Sequence, residues 1–164
     1  MIKIGLACDH AGFELKEFVK KYIEQKGFTC KDFGCYTAES CDYPDYAHFL
    51  AEFIEEEPPQ TTPIEGLSSP PSGELAGAWG IAMCGSGNGI CMTLNKHQGI
   101  RAAICWNANI AQLTRAHNDA NMLVLPARFI SKEEAAEMID IFLSTPFEGG
   151  RHQRRIEKIP IKVV

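Results

Sequence analysis

The sequence has no apolar run long enough to cross a bilayer and no Cys-x-x-Cys pair. The first absence argues against a transmembrane protein, and the second argues against a zinc ribbon or a dithiol redox motif. The chain also has no excess of basic residues, and its formal net charge is −5. Nothing in this balance attracts nucleic acid or anionic lipid. We therefore expect neither a nucleic-acid partner nor a membrane partner.

The first residues lack the basic region, long apolar core and small-residue cleavage site of a signal peptide. The seven cysteines are odd in number and scattered along the chain, which indicates reduced thiols. We therefore expect a cytoplasmic protein in which most cysteines are small buried side chains. A length of 164 residues with 45% hydrophobic residues suits a single domain, 1–164, with one full core.

Strand and helix signals alternate along the chain. Apolar runs at residues 2–8, 78–83, 99–105 and 121–126, with a weaker one at 28–34, predict five strands. Between them, apolar residues recur at helical spacing, Pro44 can open a helix, and Ser131 with Glu134 forms a capping box. Strict alternation favours a three-layer α/β/α sandwich with a Rossmann-like, mostly parallel sheet of five strands.

Residues 57–75 break this alternation. The segment EPPQTTPIEGLSSPPSGEL is rich in proline, serine and glycine and can form neither a helix nor a central strand. We interpret it as an insertion within the domain, either a surface loop or a disordered segment. Proline-rich segments also dock onto partners, which would make the protein an adaptor.

The segment MCGSGNGI (83–90) carries the strongest local signal. Glycines at 85, 87 and 89 let successive N–H groups face an anion, and the following helix points its positive end the same way. A phosphate loop would need a Gly-Lys-Ser/Thr sequence, and a dinucleotide loop or a cysteine phosphatase would need glycine or arginine where Ile90 stands. The loop therefore fits a phosphate or an oxyanion, or it is a tight turn.

Cys84 stands at the end of the third predicted strand, beside these amides. N–H groups at a helix start favour the thiolate form of a cysteine, so Cys84 is a candidate base or nucleophile, or else a buried structural thiol. Asp9 and His10 follow the first strand as a polar pair or as a helix cap. Ligands bind at the carboxyl ends of parallel strands. We therefore expect these residues to meet there.

Two further groups are candidates for the same edge. His117 and Asn118 end the fourth predicted helix, where a histidine can also simply complement the helix dipole. Arg151 and Arg155 are four residues apart, so a helix places both on one face, able to grip a phosphate or to form a solvated basic end. With Arg128 after the fifth strand, all these segments are expected to converge on one edge.

Four motifs occur in order along the chain: Asp9-His10, the Cys84–Gly89 loop, His117-Asn118-Asp119 and GGRHQRR (149–155). With these motifs the chain resembles the type B ribose-5-phosphate isomerases. That group belongs to a sugar-phosphate isomerase family that includes galactose-6-phosphate isomerase subunits. DYPDYA (42–47) and NKHQGIRAA (95–103) match as well. A branch of the family uses a glutamate where Ile90 stands, so this chain resembles the cysteine branch.

The resemblance implies interconversion of ribose 5-phosphate and ribulose 5-phosphate in the pentose phosphate pathway, without metal or cofactor. It also implies a homodimer, or a dimer of dimers, with the site between subunits. Cys84 is then the base, His117 assists ring opening and Asp9 handles a hydroxyl proton. The other implied site residues are Ser86 (catalytic), His10, Tyr43, Gly85, Gly87, Asn88, Gly89 and Asn118 (substrate), and Arg128, Arg151, His152 and Arg155 (phosphate).

Two alternatives concern the ligand. A six-carbon substrate, allose 6-phosphate or galactose 6-phosphate, would need a longer pocket, which the sequence does not reveal. A nucleotide- or flavin-phosphate binding module could be built on a similar sheet and would retain its cofactor on purification.

Overall fold

The computed structural model describes residues 3–59 and 77–161. Its sheet has five strands: β1 (Lys3–Cys8), β2 (Thr29–Asp32), β3 (Ala78–Cys84), β4 (Ala102–Ile104) and β5 (Met122–Pro126). All neighbours are parallel, in the order β2-β1-β3-β5-β4. The predicted α/β fold with a parallel sheet is therefore confirmed. Most of the 57–75 insertion lies outside the described residues.

Within residues 3–59 and 77–161, six α-helices accompany the sheet: α1 (Phe13–Gln25), α2 (Tyr43–Glu56), α3 (Asn88–Leu94), α4 (Ala108–Asn118), α5 (Lys132–Ser144) and α6 (Arg151–Ile156). Pro44 stands in the first turn of α2, where its missing N–H costs no hydrogen bond. The capping box of α5 is present, since Glu134 N donates to Ser131 Oγ and Ser131 N donates to Glu134 Oε2.

Two hydrophobic cores lie on the two faces of the sheet. Successive side chains of β5 point alternately into the two cores. Leu123 and Leu125 belong to the core covered by α1, α4 and α5, whereas Met122 and Val124 belong to the core covered by α2 and α3. Cys84 belongs to the second core. Its side chain therefore lies on the same side of the sheet as α2 and the glycine loop.

A buried ion pair ties α1 to the end of β2. Lys16 is fully buried, and its Nζ lies 2.5 Å from Asp32 Oδ2 and 3.0 Å from the half-exposed Glu17. Burial alone would raise the pKa of Asp32, but hydrogen bonds from Lys16 and from the Gly34 N–H outweigh it and lower that pKa. The contribution of the pair to stability is therefore lost as the pH falls below the unfolded-state pKa of about 3.9.

We predict that Asp32→Asn lowers the free energy of unfolding at pH 7 by about 3 kcal/mol, the lower end for a broken buried pair, because Glu17 still faces Lys16. Urea denaturation of wild type and variant measures this loss. The control is Glu57→Gln, which breaks the half-exposed pair Lys3–Glu57 and should cost less than about 1 kcal/mol. Equal losses in the two variants would refute the buried-pair interpretation.

Candidate active site

A cavity of about 520 Å³ opens at the carboxyl edge of the sheet, between β1 and β3. The chain leaves β1 toward β2 on one side and leaves β3 toward β4 on the other, so this is the point where the connections diverge. Parallel sheets bind ligands at such a point. The cavity is lined by Asp9, His10, Ala11, Tyr43, Cys84, Gly85, Ser86, Gly89, Arg128 and Phe129.

Asp9 both caps a helical turn and lines this cavity. Its Oδ1 accepts hydrogen bonds from Ala11 N at 2.9 Å and Gly12 N at 3.1 Å, at the start of a short 3-10 helix (His10–Gly12). The helix-cap interpretation is thus correct for the local structure. These bonds hold the carboxylate at the cavity wall, and only 8% of Asp9 is exposed.

His10 is positioned by the loop before α2. Its Nδ1 lies 3.3 Å from Cys41 N and 3.4 Å from Cys41 O, and which of the two contacts is a hydrogen bond depends on the ring tautomer. In either tautomer this contact fixes the ring in one orientation against the cavity.

Cys84 ends β3 and is 4% exposed, with its carbonyl accepting a hydrogen bond from Ala127 N at 3.0 Å. Gly87 then takes a left-handed φ of 78° and caps α3, so the chain turns sharply over the thiol. Ser86 and Asn88 are exposed on this turn, and Asn88 N donates to Ser86 Oγ at 3.4 Å. The loop therefore presents a thiol, a hydroxyl and backbone amides together.

Gly89 has a second purpose that the sequence did not reveal. A Cβ there would lie 2.7 Å from both Cε1 and Oη of Tyr43, the first residue of α2. The bare backbone thus lets the phenol ring lie against the loop and close one side of the cavity.

Arg128 closes the opposite side. Its backbone N donates to Gly85 O at 3.1 Å, and its guanidinium lies beside Gly85, 3.3–3.4 Å from where a Cβ would stand. A cation at the cavity edge suits an anionic ligand. Its neighbour Phe129 also lines the cavity and is 73% exposed. We did not predict Phe129, although its position directly after β5 already placed it at this edge.

The other predicted residues lie at the opposite edge of the sheet. His117 and Asn118 end α4, which leads into β5 at Met122, whereas the cavity lies beside Pro126 at the far end of that strand. At about 3.3 Å per residue, β5 alone separates the two edges by about 13 Å. The prediction that all segments converge on one edge is therefore wrong for a single chain, because a crossover helix runs antiparallel to the strands it connects.

At this second edge the residues form their own cluster. The rings of His117 and His152 stack with centroids 4.2 Å apart, and Glu148 Oε2 lies 3.6 Å from His117 Nε2 and 3.7 Å from His152 Nε2. The ligand atoms of these three residues all lie within 4.8 Å of one another, which is close enough to hold a metal ion. Arg151 Nε lies 3.4 Å from His152 Nε2, and Arg155 is exposed on α6. The cluster is thus a cationic surface with a single acidic member.

Arginines fix the end of α4 that carries His117. Arg115, 1% exposed, donates to Asp119 Oδ1 and to Ala120 O, each at 2.7 Å. Arg101 donates to Asp119 Oδ2 at 3.0 Å and through Nε to Asn118 O at 3.2 Å. These bonds hold Asp119 in a left-handed conformation with φ of 45°. The helix end is therefore rigid, and so is the position of His117.

Fold and cavity together define a class: parallel α/β proteins with a thiol and an amide-lined loop at the point where the sheet connections diverge. A sequence model described as Ribose/Galactose Isomerase matches residues 4–62 and 73–159. The chain belongs to the Ribose/Galactose Isomerase family.

Individual relatives agree with this assignment. Ribose-5-phosphate isomerase B of Escherichia coli (strain K12) is 38% identical over 159 residues, covering 97% of this chain and 95% of that protein. The crystal structure of a ribose 5-phosphate isomerase from Thermotoga maritima is 46% identical with a TM-score of 0.82, covering 96% of this chain and 97% of that one. Ribose-5-phosphate isomerase B of Mycoplasma genitalium, with bound ribulose-5-phosphate, is 36% identical with a TM-score of 0.81, covering 96% and 93%.

The surroundings of His152 in the second-edge cluster predict the direction of its pKa shift. Burial lowers the pKa of His152, and the positive charges of His117 and Arg151 lower it further, whereas Glu148 raises it. We predict that the His152 ring titrates below 6.5 in NMR spectra. Glu148→Gln should lower that midpoint again, and Arg151→Gln should raise it. A midpoint above 6.5 in wild type would contradict the described surroundings.

Proposed function

We propose that this protein interconverts ribose 5-phosphate and ribulose 5-phosphate, as a cytoplasmic enzyme of the pentose phosphate pathway. The observation that carries the proposal is the meeting of Cys84, the loop amides and Asp9 in one cavity. An aldose–ketose exchange needs a base for a C–H beside a carbonyl and positive dipoles for the oxyanion that follows. The names of the relatives support this substrate, and seven free thiols fit a reducing compartment.

We assign the proton movements to these groups as follows. The Cys84 thiolate takes the proton from C2 of the open-chain aldose, and the electrons move onto O1 to give an enediolate. Amides of residues 85–89, with Ser86 and Asn88 beside them, stabilise that charge. Asp9 accepts the proton of the O2 hydroxyl and delivers one to O1, and the Cys84 thiol protonates C1 to give the ketose.

We propose that a second copy of the chain completes the site. His117 would assist ring opening, Asn118 would bind sugar hydroxyls, and Arg151, His152 and Arg155 would reach the phosphate from the partner. Two observations support this: these residues lie at the edge opposite the cavity, and large apolar side chains are exposed, with Met92 66% and Trp106 55% accessible. A symmetric dimer would cover such side chains and bring opposite edges together.

His10 and Arg128 supply phosphate contacts from the first chain. Both line the cavity, and Arg128 can donate several charge-assisted hydrogen bonds. Binding the phosphate far from C1 and C2 allows its binding energy to position the reacting carbons. Tyr43, held against Gly89, covers the sugar on the α2 side.

We predict that Cys84→Ser lowers kcat for ribose 5-phosphate isomerisation by about 10²–10⁴-fold and leaves KM within a few-fold of the wild-type value. The base is lost in this variant, whereas the groups that bind the substrate remain. The assay is run with EDTA to test for metal independence. Cys91→Ser is the control, since that half-buried thiol on α3 contacts the carbonyl of Ala102 rather than the cavity. If Cys84→Ser keeps near-wild-type turnover, Cys84 is not the base. Faster turnover of allose 6-phosphate or galactose 6-phosphate would assign a six-carbon substrate.

Subunit mixing tests the shared site. Cys84→Ala and His117→Asn should each be inactive alone on the cyclic sugar. Unfolded and refolded together in equal amounts, they should recover about a quarter of wild-type activity, because half the dimers are mixed and each mixed dimer has one intact site. Co-refolding of Cys84→Ala with Cys84→Ser is the matched control and should recover nothing. An inactive first mixture alongside dimeric wild type would place both residues in one chain.

A further inference from the structure

Two histidines outside the proposed active site face each other, one on α2 and one in the loop after α3. His48 Nδ1 lies 2.8 Å from His97 Nε2, with ring centroids 5.1 Å apart and ring planes tilted by 49°. On the far side of His97, its Nδ1 lies 3.1 Å from Glu55 Oε2. Neither histidine lines the cavity between β1 and β3. The chemistry proposed above therefore leaves this group unused.

Glu55 fixes the tautomer of His97. Its Oε1 accepts a hydrogen bond from Gly99 N at 2.8 Å, which holds the carboxylate with Oε2 facing the His97 ring. An ionised carboxylate accepts the proton of His97 Nδ1, so the lone pair of Nε2 points at His48. A carboxylate behind one ring nitrogen, with the other nitrogen left unprotonated, is the arrangement that orients metal-binding histidines.

The two nitrogens are close enough to share one metal ion. With a metal–nitrogen bond of about 2.0–2.1 Å, a right angle at the metal separates two nitrogens by about 2.8–3.0 Å, and a tetrahedral angle separates them by about 3.3–3.4 Å. The observed 2.8 Å is the length of the hydrogen bond in the metal-free state, and a rotation of the exposed His48 ring can bring the two nitrogens to either spacing. Imidazole binds first-row divalent ions, and Ni²⁺ and Cu²⁺ stand highest in the affinity order up to copper.

We propose that His48 Nδ1 and His97 Nε2 bind one divalent transition-metal ion of the Ni²⁺ or Cu²⁺ type, with Glu55 as the positioning residue behind His97. Without metal, His48 Nδ1–H donates to His97 Nε2. On binding, that proton moves to His48 Nε2 through solvent, and the exposed His48 ring rotates so that both lone pairs face the ion. Water fills the remaining coordination positions.

The metal would join two elements that border the active site. His48 stands on α2, whose first residue is Tyr43. His97 follows α3, which begins at Asn88 in the glycine loop after Cys84. A ligand that binds only the folded chain stabilises it by mass action. Because an imidazole nitrogen must be unprotonated to bind a metal ion, binding competes with protons.

Calorimetric titration with Ni²⁺ at pH 7.5 tests this proposal; Ni²⁺ is used because Cu²⁺ oxidises free thiols. We expect one Ni²⁺ per chain in wild type, because the Arg151 cation beside His152 opposes an ion at the second-edge cluster, and a rise in melting temperature on its addition. His48→Ala and His97→Ala should each weaken binding at least about 100-fold, and Glu55→Gln about 10–100-fold. The metal-free His48→Ala and His97→Ala proteins should keep wild-type isomerase activity, which shows that their fold is intact.

The control is the double variant His117→Asn/His152→Ala, which removes the other histidine cluster. It should bind Ni²⁺ as wild type does. Ni²⁺ binding that persists in His48→Ala or His97→Ala, that disappears only in the double variant, or that is absent from wild type would each overturn the proposal. In that order, these three outcomes would assign the ion to thiols, to the second-edge cluster or to no site.

Discussion

The direction of the parallel strands is the constraint on which the rest of this structure depends. Every strand carries its following residues to one edge, so Cys84, Asp9 and Arg128 share a cavity although they are far apart in sequence. Every crossover helix must return to the other edge, so α4 delivers His117 and Asn118 there. The same rule that assembles one half of the proposed site therefore places the other half at the opposite edge, and the proposed dimer would bring the two halves together.

Within the cavity, the glycines of residues 85–89 serve several physical purposes. Gly87 takes the left-handed turn that starts α3, and Gly89 makes room for the Tyr43 ring. Gly85 lies beside the Arg128 guanidinium and accepts its backbone hydrogen bond. The loop is thus shaped by contacts from α2 and from the segment after β5, and those contacts hold its amides beside the thiol without side chains in the way.

Much of this could be predicted from sequence because the signals are local. Apolar runs and helical spacing locate all five strands, and Pro44 and Ser131 mark helix starts for reasons contained within a few residues. Local patterns do not separate the two edges, because a residue that ends a helix is assigned to an edge only by the direction in which that helix, here α4, runs. Pairings such as Gly89 with Tyr43, or His48 with His97, depend on how α2 packs against α3, and no local pattern encodes them. The comparison with relatives supports the substrate, whereas the position of the thiol follows from the fold.

The most direct test of the central claim is a crystal structure of the assembled protein with ribulose 5-phosphate bound. The account predicts Cys84 Sγ in contact with C1 and C2 of the sugar, with the phosphate held by His10 and Arg128 of one chain and by Arg151 and Arg155 of another. A sugar whose first two carbons lie away from that sulfur, or whose contacts all come from one chain, would contradict it.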